Sequence, residues 1–142
     1  MAAEGSKSIV EQFLDRVLIG RELEAVADLC RSEATYRMPI GIAYGVSGIT
    51  ALFAKTFSAF PDCRFLPETI LSDGDRVGVR LTMRATLTGA LDEHLPSGRR
   101  MVLPEIWLFQ LSDGKISEIE VIFDTALLTA TLNIPEIQRV ER

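Results

Sequence analysis

The stretch DGDRVGVRLTMRATLTG, residues 73–89, predicts a β-strand that follows a tight turn. Its apolar residues alternate with Arg and Thr, as expected when one face of a strand is buried and the other is exposed. The Asp-Gly pair at its start favours a hairpin, because both residues accept the positive φ of a tight reversal. The stretch therefore predicts an antiparallel sheet. Its apolar set is Val79, Leu81, Met83, Ala85 and Leu87.

The two-residue period continues on both sides of this stretch. The turns at 72–75 and 112–115, Ser-Asp-Gly-Asp and Ser-Asp-Gly-Lys, are near-copies, and both have the composition of hairpins. A longer connection is predicted at 90–98. Four successive strands are predicted, at 64–71, 76–88, 100–111 and 116–123.

Helical periodicity dominates the amino-terminal part of the chain and returns near its end. A short strand at 35–38 ends at Pro39, and the glycines that follow, at 41, 45 and 48, indicate a flexible loop. Helices are predicted at 6–19, at 22–30, from a cap at Ser47 to Pro61, and at 125–132. Because strands follow one another instead of alternating with helices, the fold class is α+β, with a mainly antiparallel sheet and helices on one face. We expect a single domain over 1–142, with terminal tails at 1–7 and 133–142.

Composition excludes several classes of protein. A chain of 142 residues that is 47% hydrophobic and 25% charged supports one sizeable core. Its net charge of −5, with dispersed basic residues, argues against nucleic-acid binding. No apolar run approaches the ~20 residues that cross a bilayer, and no signal-peptide pattern opens the chain. We therefore expect a soluble, cytoplasmic protein with no membrane partner.

The chain lacks the signatures of a metal or cofactor site. Cys30, Cys63 and the single histidine, His94, do not have metal-ligand spacing. Neither a phosphate-binding glycine loop nor a dinucleotide fingerprint occurs. We expect no metal and no cofactor, and a small hydrophobic molecule as the binding partner.

Several motifs occur in order along nearly the whole chain. They are FPDCRF (60–65), the stretch at 73–89, LPSGRR (95–100), DGKI (113–116) and FDTALL (123–128). With the order of elements, they resemble the SnoaL-like polyketide cyclases of the nuclear-transport-factor-like superfamily, which also contains ketosteroid isomerase and scytalone dehydratase. The resemblance implies a conical α+β barrel, with a curved sheet wrapped around helices and a ligand cavity at the open end. It also implies a dimer or a higher oligomer formed through the outer face of the sheet, and we expect a homodimer.

The family's usual catalytic positions are occupied by other residues here. Aligned on DGKI, the aspartate that serves as general acid and base in the family falls on Val121, and a cavity-lining histidine falls on Trp107. In ketosteroid isomerase the corresponding base and tyrosine fall on Met38 and Phe13. The resemblance therefore disfavours ketosteroid isomerase chemistry.

Strand alternation then makes Glu105 a candidate acid/base. If Val121 and Trp107 face the cavity, Glu105 shares the inner face with Trp107. Burial would raise its pKa towards neutrality, which suits proton transfer. The alternatives are that Glu105 points to solvent or to a subunit interface, or pairs with an arginine such as Arg84.

Three other polar residues are candidates, each with a structural alternative. Asp124 can serve in the pocket or cap the helix at 125–132, and Tyr36 can donate a hydrogen bond to a substrate or pack within the strand. His94 can reach the cavity mouth or lie on the surface without a role. We expect the substrate to contact Met38, Trp107, Val121, Phe13, Phe109, Met83, Phe53 and His94.

The predicted function is a cyclase or isomerase acting on a small hydrophobic polyketide-like intermediate. Glu105, with Tyr36 or Asp124, would perform acid/base chemistry, or the cavity would fold a flexible substrate for a closure that needs no base, such as a cycloaddition. A domain that binds a hydrophobic metabolite without catalysis is the alternative. The polar residues that alternate with the apolar set are expected on the outer sheet face, where they can meet another subunit: Arg80, Thr82, Arg84, Thr86 and Thr88.

Overall fold

A computed structural model of the chain describes residues 3–91 and 96–132. The first half contains helix α1 (Ala3–Phe13), a π-helical segment (Leu14–Ile19), α2 (Ala25–Leu29), β1 (Cys30–Met38), β2 (Gly41–Tyr44) and α3 (Gly45–Ala59). The second half contains β3 (Arg64–Asp73), β4 (Arg76–Thr86), β5 (Arg100–Ser112), β6 (Lys115–Phe123) and α4 (Thr125–Leu132).

The strands form one six-stranded sheet in the order β2-β1-β6-β5-β4-β3. All neighbours are antiparallel except β1 and β6, which run parallel. Register shifts place extra residues in β1, β3 and β6, and such bulges bend a strand and increase its twist. The sheet is curved but open, with β2 and β3 at its edges. The α+β class is confirmed, as a partly open form of the implied barrel.

The hydrophobic core lies between the inner face of the sheet and the helices α1 and α3. Buried and exposed residues alternate along β4 and β5 without interruption, which confirms the two-residue period. The apolar set of β4, from Val79 to Ala85, is buried, whereas Arg80 and Arg84 are exposed on the outer face. None of the described helices is both long enough and apolar enough to span a lipid bilayer.

The four-strand prediction, both hairpin turns and the last helix are confirmed. Asp73 pairs with Arg76, and Ser112 pairs with Lys115, so each turn has two central residues. Gly74 has a φ of 63°, and Asp113 and Gly114 have φ of 51° and 76°. These are the left-handed conformations that the Asp-Gly composition predicts.

The amino-terminal half differs from the prediction in four places. The first helix continues into a π-helical segment, and the second helix spans only Ala25–Leu29 because β1 already begins at Cys30. The predicted glycine loop contains strand β2, since Gly41 pairs with Met38 across a two-residue connection. Helix α3 begins at Gly45 without a side-chain cap, so the predicted cap at Ser47 is wrong. Glycine content alone could not distinguish a short edge strand from a loop.

Hydrogen bonds hold the end of β4 and the segment after it against the end of α3. The Gly89 amide donates a hydrogen bond to the Ala59 carbonyl at 2.9 Å. The Asp62 carboxylate accepts bonds from the amide and hydroxyl of Thr86 at 2.8 and 2.7 Å. A Cβ atom at Gly89 would lie only 2.1 Å from the Ser58 carbonyl oxygen, so no larger residue fits without moving the backbone.

We therefore expect Gly89→Ala to destabilise the fold by at least about 2 kcal/mol, the magnitude of overpacking. Chemical denaturation measures the change in the free energy of unfolding. Gly48→Ala is the control, because a Cβ there meets only ordinary contacts at 3.7 Å or more. Inside helix α3 it should leave stability unchanged or raise it by up to about 1 kcal/mol. Equal stability of the two variants would contradict the close packing at Gly89.

Candidate active site

A cavity of about 250 Å³ opens between α3, α4 and the inner face of the sheet. Its walls are mainly aliphatic and aromatic. The polar lining residues are Tyr36 on β1, Lys55 and Thr56 on α3, and Glu105 on β5. The Thr56 hydroxyl donates to the Leu52 carbonyl at 2.9 Å, so it is engaged by its own helix. Among the described residues that line the cavity, Glu105 is the only carboxylate.

Glu105 points inward, as strand alternation predicts. It is only 6% exposed, and its cross-strand neighbours are Leu81 and Phe123. The alternatives of solvent exposure and of pairing with Arg84 are wrong, since Arg84 lies on the opposite face. Its Oε1 accepts a hydrogen bond from the Trp107 indole Nε1 at 2.8 Å. Within the described part of the chain Oε2 accepts no hydrogen bond, so this oxygen is available to a ligand.

Burial controls the protonation of this carboxyl group. Loss of hydration disfavours the charged form and raises the pKa of Glu105 from 4.5 to about 7. The hydrogen bond from Trp107 favours the carboxylate and lowers the pKa, but its effect is smaller than that of burial. Near neutral pH the group therefore populates both its acid and its base forms, the condition for efficient proton transfer.

Trp107 lies at the centre of an aromatic cluster that fixes its position. Its ring centroid is 5.6 Å from that of Tyr36, 6.4 Å from Phe53, 6.1 Å from Phe65 and 6.0 Å from Phe109. These rings come from β1, α3, β3 and β5. Because the indole cannot turn without disturbing its neighbours, its N–H holds Glu105 in one orientation.

Tyr36 supplies a second polar group to the same cavity. It is buried, and burial raises the pKa of its phenol well above 10, with a further contribution from the charge of Glu105. The hydroxyl is therefore protonated at every pH near neutrality. It makes no hydrogen bond within residues 3–91 and 96–132, so it can donate to a ligand oxygen.

The structure brings six of the predicted site residues together and leaves others outside the cavity. Glu105, Tyr36, Met38, Met83, Phe53 and Trp107 line it. Val121, Phe13 and Phe109 are not among the lining residues, and their contact with the substrate stays a prediction. Val121 lies opposite Trp107 in the sheet, and the Phe13 ring packs on Phe53 and Phe109. Strand alternation identifies the inner face, but not which part of that face the helices cover.

Asp124 is placed as a helix cap. It is exposed, and its Oδ1 accepts a hydrogen bond from the Ala126 amide at 2.9 Å, which confirms the capping alternative. It does not line the cavity, so we do not retain it as a catalytic candidate. His94 falls outside the described residues.

Several wall residues escaped the sequence analysis. Leu52, Phe60, Phe65 and Leu128 line the cavity, and so does Lys55, whose side chain is exposed. Leu52 and Phe60 belong to the apolar stripe of α3, which was a usable signal. No sequence pattern indicates that Lys55 and Leu128 line the cavity, because their position depends on how α3 and α4 pack on the sheet.

The two cysteines of the chain are buried and form no disulfide. Burial raises the pKa of the Cys30 and Cys63 thiols to about 12, so neither is a thiolate at neutral pH. Within the described residues, no group of three or more His, Cys, Asp or Glu side chains could hold a metal ion.

Comparison with known proteins identifies related sequences and folds. The model of the SnoaL-like polyketide cyclase family matches residues 8–132. A proposed SnoaL-like polyketide cyclase from Jannaschia sp. CCS1 superposes with a TM-score of 0.84 at 21% identity, covering 94% of this chain and 95% of that one. IdmH, a proposed polyketide cyclase from Streptomyces antibioticus, gives a TM-score of 0.75 at 22% identity, covering 91% and 99%.

A third solved structure defines the fold more broadly. A protein from Catenulispora acidiphila with a ketosteroid isomerase-like fold, solved in complex with trimethylamine, gives a TM-score of 0.74 at 18% identity, covering 89% of this chain and 93% of that one. At such identities the structural likeness establishes the fold alone. No curated protein sequence matches this chain significantly.

Burial of Glu105 makes stability depend on pH. Its folded-state pKa of about 7 lies above the ordinary 4.5, so the folded protein holds the proton more tightly between these values. Its contribution to stability is therefore fully present below about pH 4.5 and is lost as the pH rises through 7. Relative to wild type, Glu105→Gln should gain on the order of 3 kcal/mol in the free energy of unfolding between pH 4.5 and 8. Urea denaturation across this range measures the difference, and exposed Glu11→Gln is the control. A difference that does not vary with pH would contradict the burial of the charge.

Trp107→Phe tests the hydrogen bond separately. It removes the N–H that favours the carboxylate, so the pKa of Glu105 should rise above about 7. The midpoint is read from the pH dependence of the stability difference between Trp107→Phe and the double variant Trp107→Phe/Glu105→Gln. The same midpoint is measured for wild type against Glu105→Gln. If the midpoint is unchanged or lower in the Trp107→Phe background, the indole does not stabilise the carboxylate.

Proposed function

The chain belongs to the SnoaL-like polyketide cyclase family, and we propose that it acts as a cyclase or isomerase on a small, hydrophobic, polyketide-like intermediate. One observation carries the proposal: Glu105, the one carboxyl group among the described residues that line the apolar cavity, has one oxygen held by Trp107 and the other available. A group in this position can remove a proton from a carbon next to a ketone and return it elsewhere on the same substrate.

The proposed chemistry divides the work between two side chains. The Glu105 carboxylate takes the proton from the α-carbon, and the electron pair moves into the enolate of the substrate. The neutral Tyr36 hydroxyl donates a hydrogen bond to the developing enolate oxygen. The enolate carbon then attacks a second carbonyl of the same molecule, or takes the proton back at another position. In either case the Glu105 acid supplies the proton that completes the reaction.

The cavity sets the size and polarity of the substrate. An apolar cavity of about 150 Å³ accommodates benzene, so 250 Å³ suits a molecule of one or two rings. The walls formed by Phe53, Phe65, Met83 and Trp107 favour an apolar skeleton. Among the described lining residues, only Tyr36, Lys55, Thr56 and Glu105 are polar, which favours a substrate with few oxygens.

The same walls support a second mechanism within this function. Where a ring closure needs no base, a rigid apolar cavity can accelerate it by holding a flexible substrate in a reactive conformation. Glu105 and Tyr36 would then orient carbonyl oxygens without transferring a proton. Binding of a hydrophobic metabolite without turnover is the alternative from another functional class, and the apolar walls favour it equally.

Exchange of α-protons for deuterium in 2-tetralone, a two-ring ketone, tests the base directly. Wild-type protein should accelerate exchange, with a rate that rises with pH and levels off above about 7 as Glu105 ionises. Glu105→Gln should lower the rate at least ~100-fold, the usual contribution of a general base. Trp107 is the only tryptophan, so its fluorescence reports binding of the ketone independently of exchange.

The outcomes separate the alternatives. Loss of exchange in Glu105→Gln with unchanged binding, while exposed Glu11→Gln remains active, supports acid/base catalysis. Exchange that survives in Glu105→Gln would remove Glu105 from the chemistry. Binding without any exchange in wild type would leave substrate folding, or a binding function, as the role of the cavity.

A further inference from the structure

Lys55 brings a positive charge to the solvent side of the cavity. It lies on α3 three positions after Leu52, so both side chains reach the cavity wall from the same side of the helix. Among the described lining residues Lys55 is the only cation, and it is exposed. A lysine in this position can lay its aliphatic stem along an apolar wall while its ammonium group stays in water. The chemistry proposed for Glu105 and Tyr36 makes no use of this charge.

The two ends of the cavity differ in charge and in hydration. Tyr36 and Glu105 are only 5% and 6% exposed, so they lie at the inner end. Burial and the hydrogen bond from Trp107 set the pKa of Glu105. Neither cause involves Lys55, so its ammonium group does not serve as the counter-ion of this carboxylate. The cavity therefore has a proton-transfer group at its inner end and a separate cation at its mouth.

On the basis of the proposed function, we infer that the substrate is a keto acid whose ionised carboxylate binds Lys55 at the mouth while its ketone lies beside Tyr36 and Glu105. The ammonium group has three N–H donors, so a ligand carboxylate can share it with the interaction that Lys55 already has within the chain. A charge-assisted hydrogen bond of this kind is stronger than one between neutral groups. Lys55 is thus a residue that determines specificity, and it takes no part in the proton transfer.

Charge also fixes the direction in which such a substrate lies. Near neutral pH Glu105 is partly ionised, and a carboxylate placed beside it would be repelled. The net charge of −5 gives the chain no general attraction for anions, so a local cation has to supply it. The carboxylate therefore stays at the mouth, and the ketone occupies the inner end, where the Tyr36 hydroxyl can donate to its oxygen.

A single cation selects a single negative charge. A phosphate group carries nearly two charges and three acceptor oxygens, and it needs more donors than one ammonium group beside apolar walls provides. A carboxylate matches the one charge, and a cavity of about 250 Å³ leaves space for a skeleton of one or two rings. The ligand class is therefore a small keto acid with its carboxyl group free, and an ester of the same skeleton would lose the contact with Lys55.

Two ligands that differ only in charge test this contact. They are 3-benzoylpropionate, a one-ring keto acid, and its neutral amide. Isothermal titration calorimetry at about pH 7.5 and low ionic strength should give wild type a dissociation constant at least ~5-fold lower for the acid. In Lys55→Gln the two constants should agree within about twofold. Salt at ~0.5 M should reduce the wild-type preference, because the charge pair lies near solvent.

Two control variants separate Lys55 from other charges. Lys115→Gln makes the same charge change at an exposed position of β6, outside the cavity wall, and should keep the preference for the acid. Glu105→Gln should also keep it, because the carboxylate of the ligand binds at the other end of the cavity.

The outcomes distinguish this inference from the proposed function. Equal affinity of wild type for the acid and the amide would overturn the role of Lys55, and so would a preference that persists in Lys55→Gln or is lost equally in Lys115→Gln. Exchange in 2-tetralone, which has no carboxylate, tests Glu105 independently. A preference for the acid without any exchange would support the Lys55 contact and reject only the acid/base chemistry. Exchange without the preference would reject only the Lys55 contact.

Discussion

A carboxyl group removed from water needs a partner that holds it in place, and the indole of Trp107 is that partner for Glu105. The two residues are only two positions apart in the sequence and lie on the same face of β5. Their hydrogen bond measures 2.8 Å. The indole also organises the packing of residues from other strands and from a helix. Phe53 of α3, Tyr36 of β1 and Phe65 of β3 pack around the same indole, so the helix and the sheet meet where the carboxyl group is fixed. The cavity is the space that this cluster leaves unfilled.

In the proposed function, Glu105 takes the role of the aspartate that the family resemblance implies. The residue that aligns with that aspartate, Val121, lies directly opposite Trp107 in the sheet. Glu105 pairs with Phe123, so it is a diagonal neighbour of Val121 on the adjacent strand. A carboxyl group is therefore present in the same region of the inner face, but it approaches the cavity from β5. In the proposed mechanism, this shift changes the direction from which the proton is taken, while the acid stays in the same region of the fold.

The regular part of this fold could be predicted from sequence, because alternation and turn chemistry are local signals. The period of two along β4 and β5 identified the inner face, and with it the direction of Glu105. The strand β2 was missed because four residues with a glycine carry too little pattern, and its hydrogen bonds come from β1. The cavity wall was only partly predictable. Val121 and Trp107 share one face, yet whether a side chain meets open space or a packed helix depends on tertiary contacts that no local pattern encodes.

The parallel pairing of β1 with β6 carries a consequence for how the protein assembles. The strands β3 to β6 follow one another and each pairs with its neighbour in the chain, whereas Tyr36 pairs with Ile119, more than 80 positions away in the sequence. Closing so long a loop is entropically unfavourable and is compensated only when the remaining contacts form. Tyr36 and Glu105 therefore share a cavity only after the two ends of the chain have met. A nascent or truncated chain that lacks β6 can contain every polar group of the site and still have no site at all.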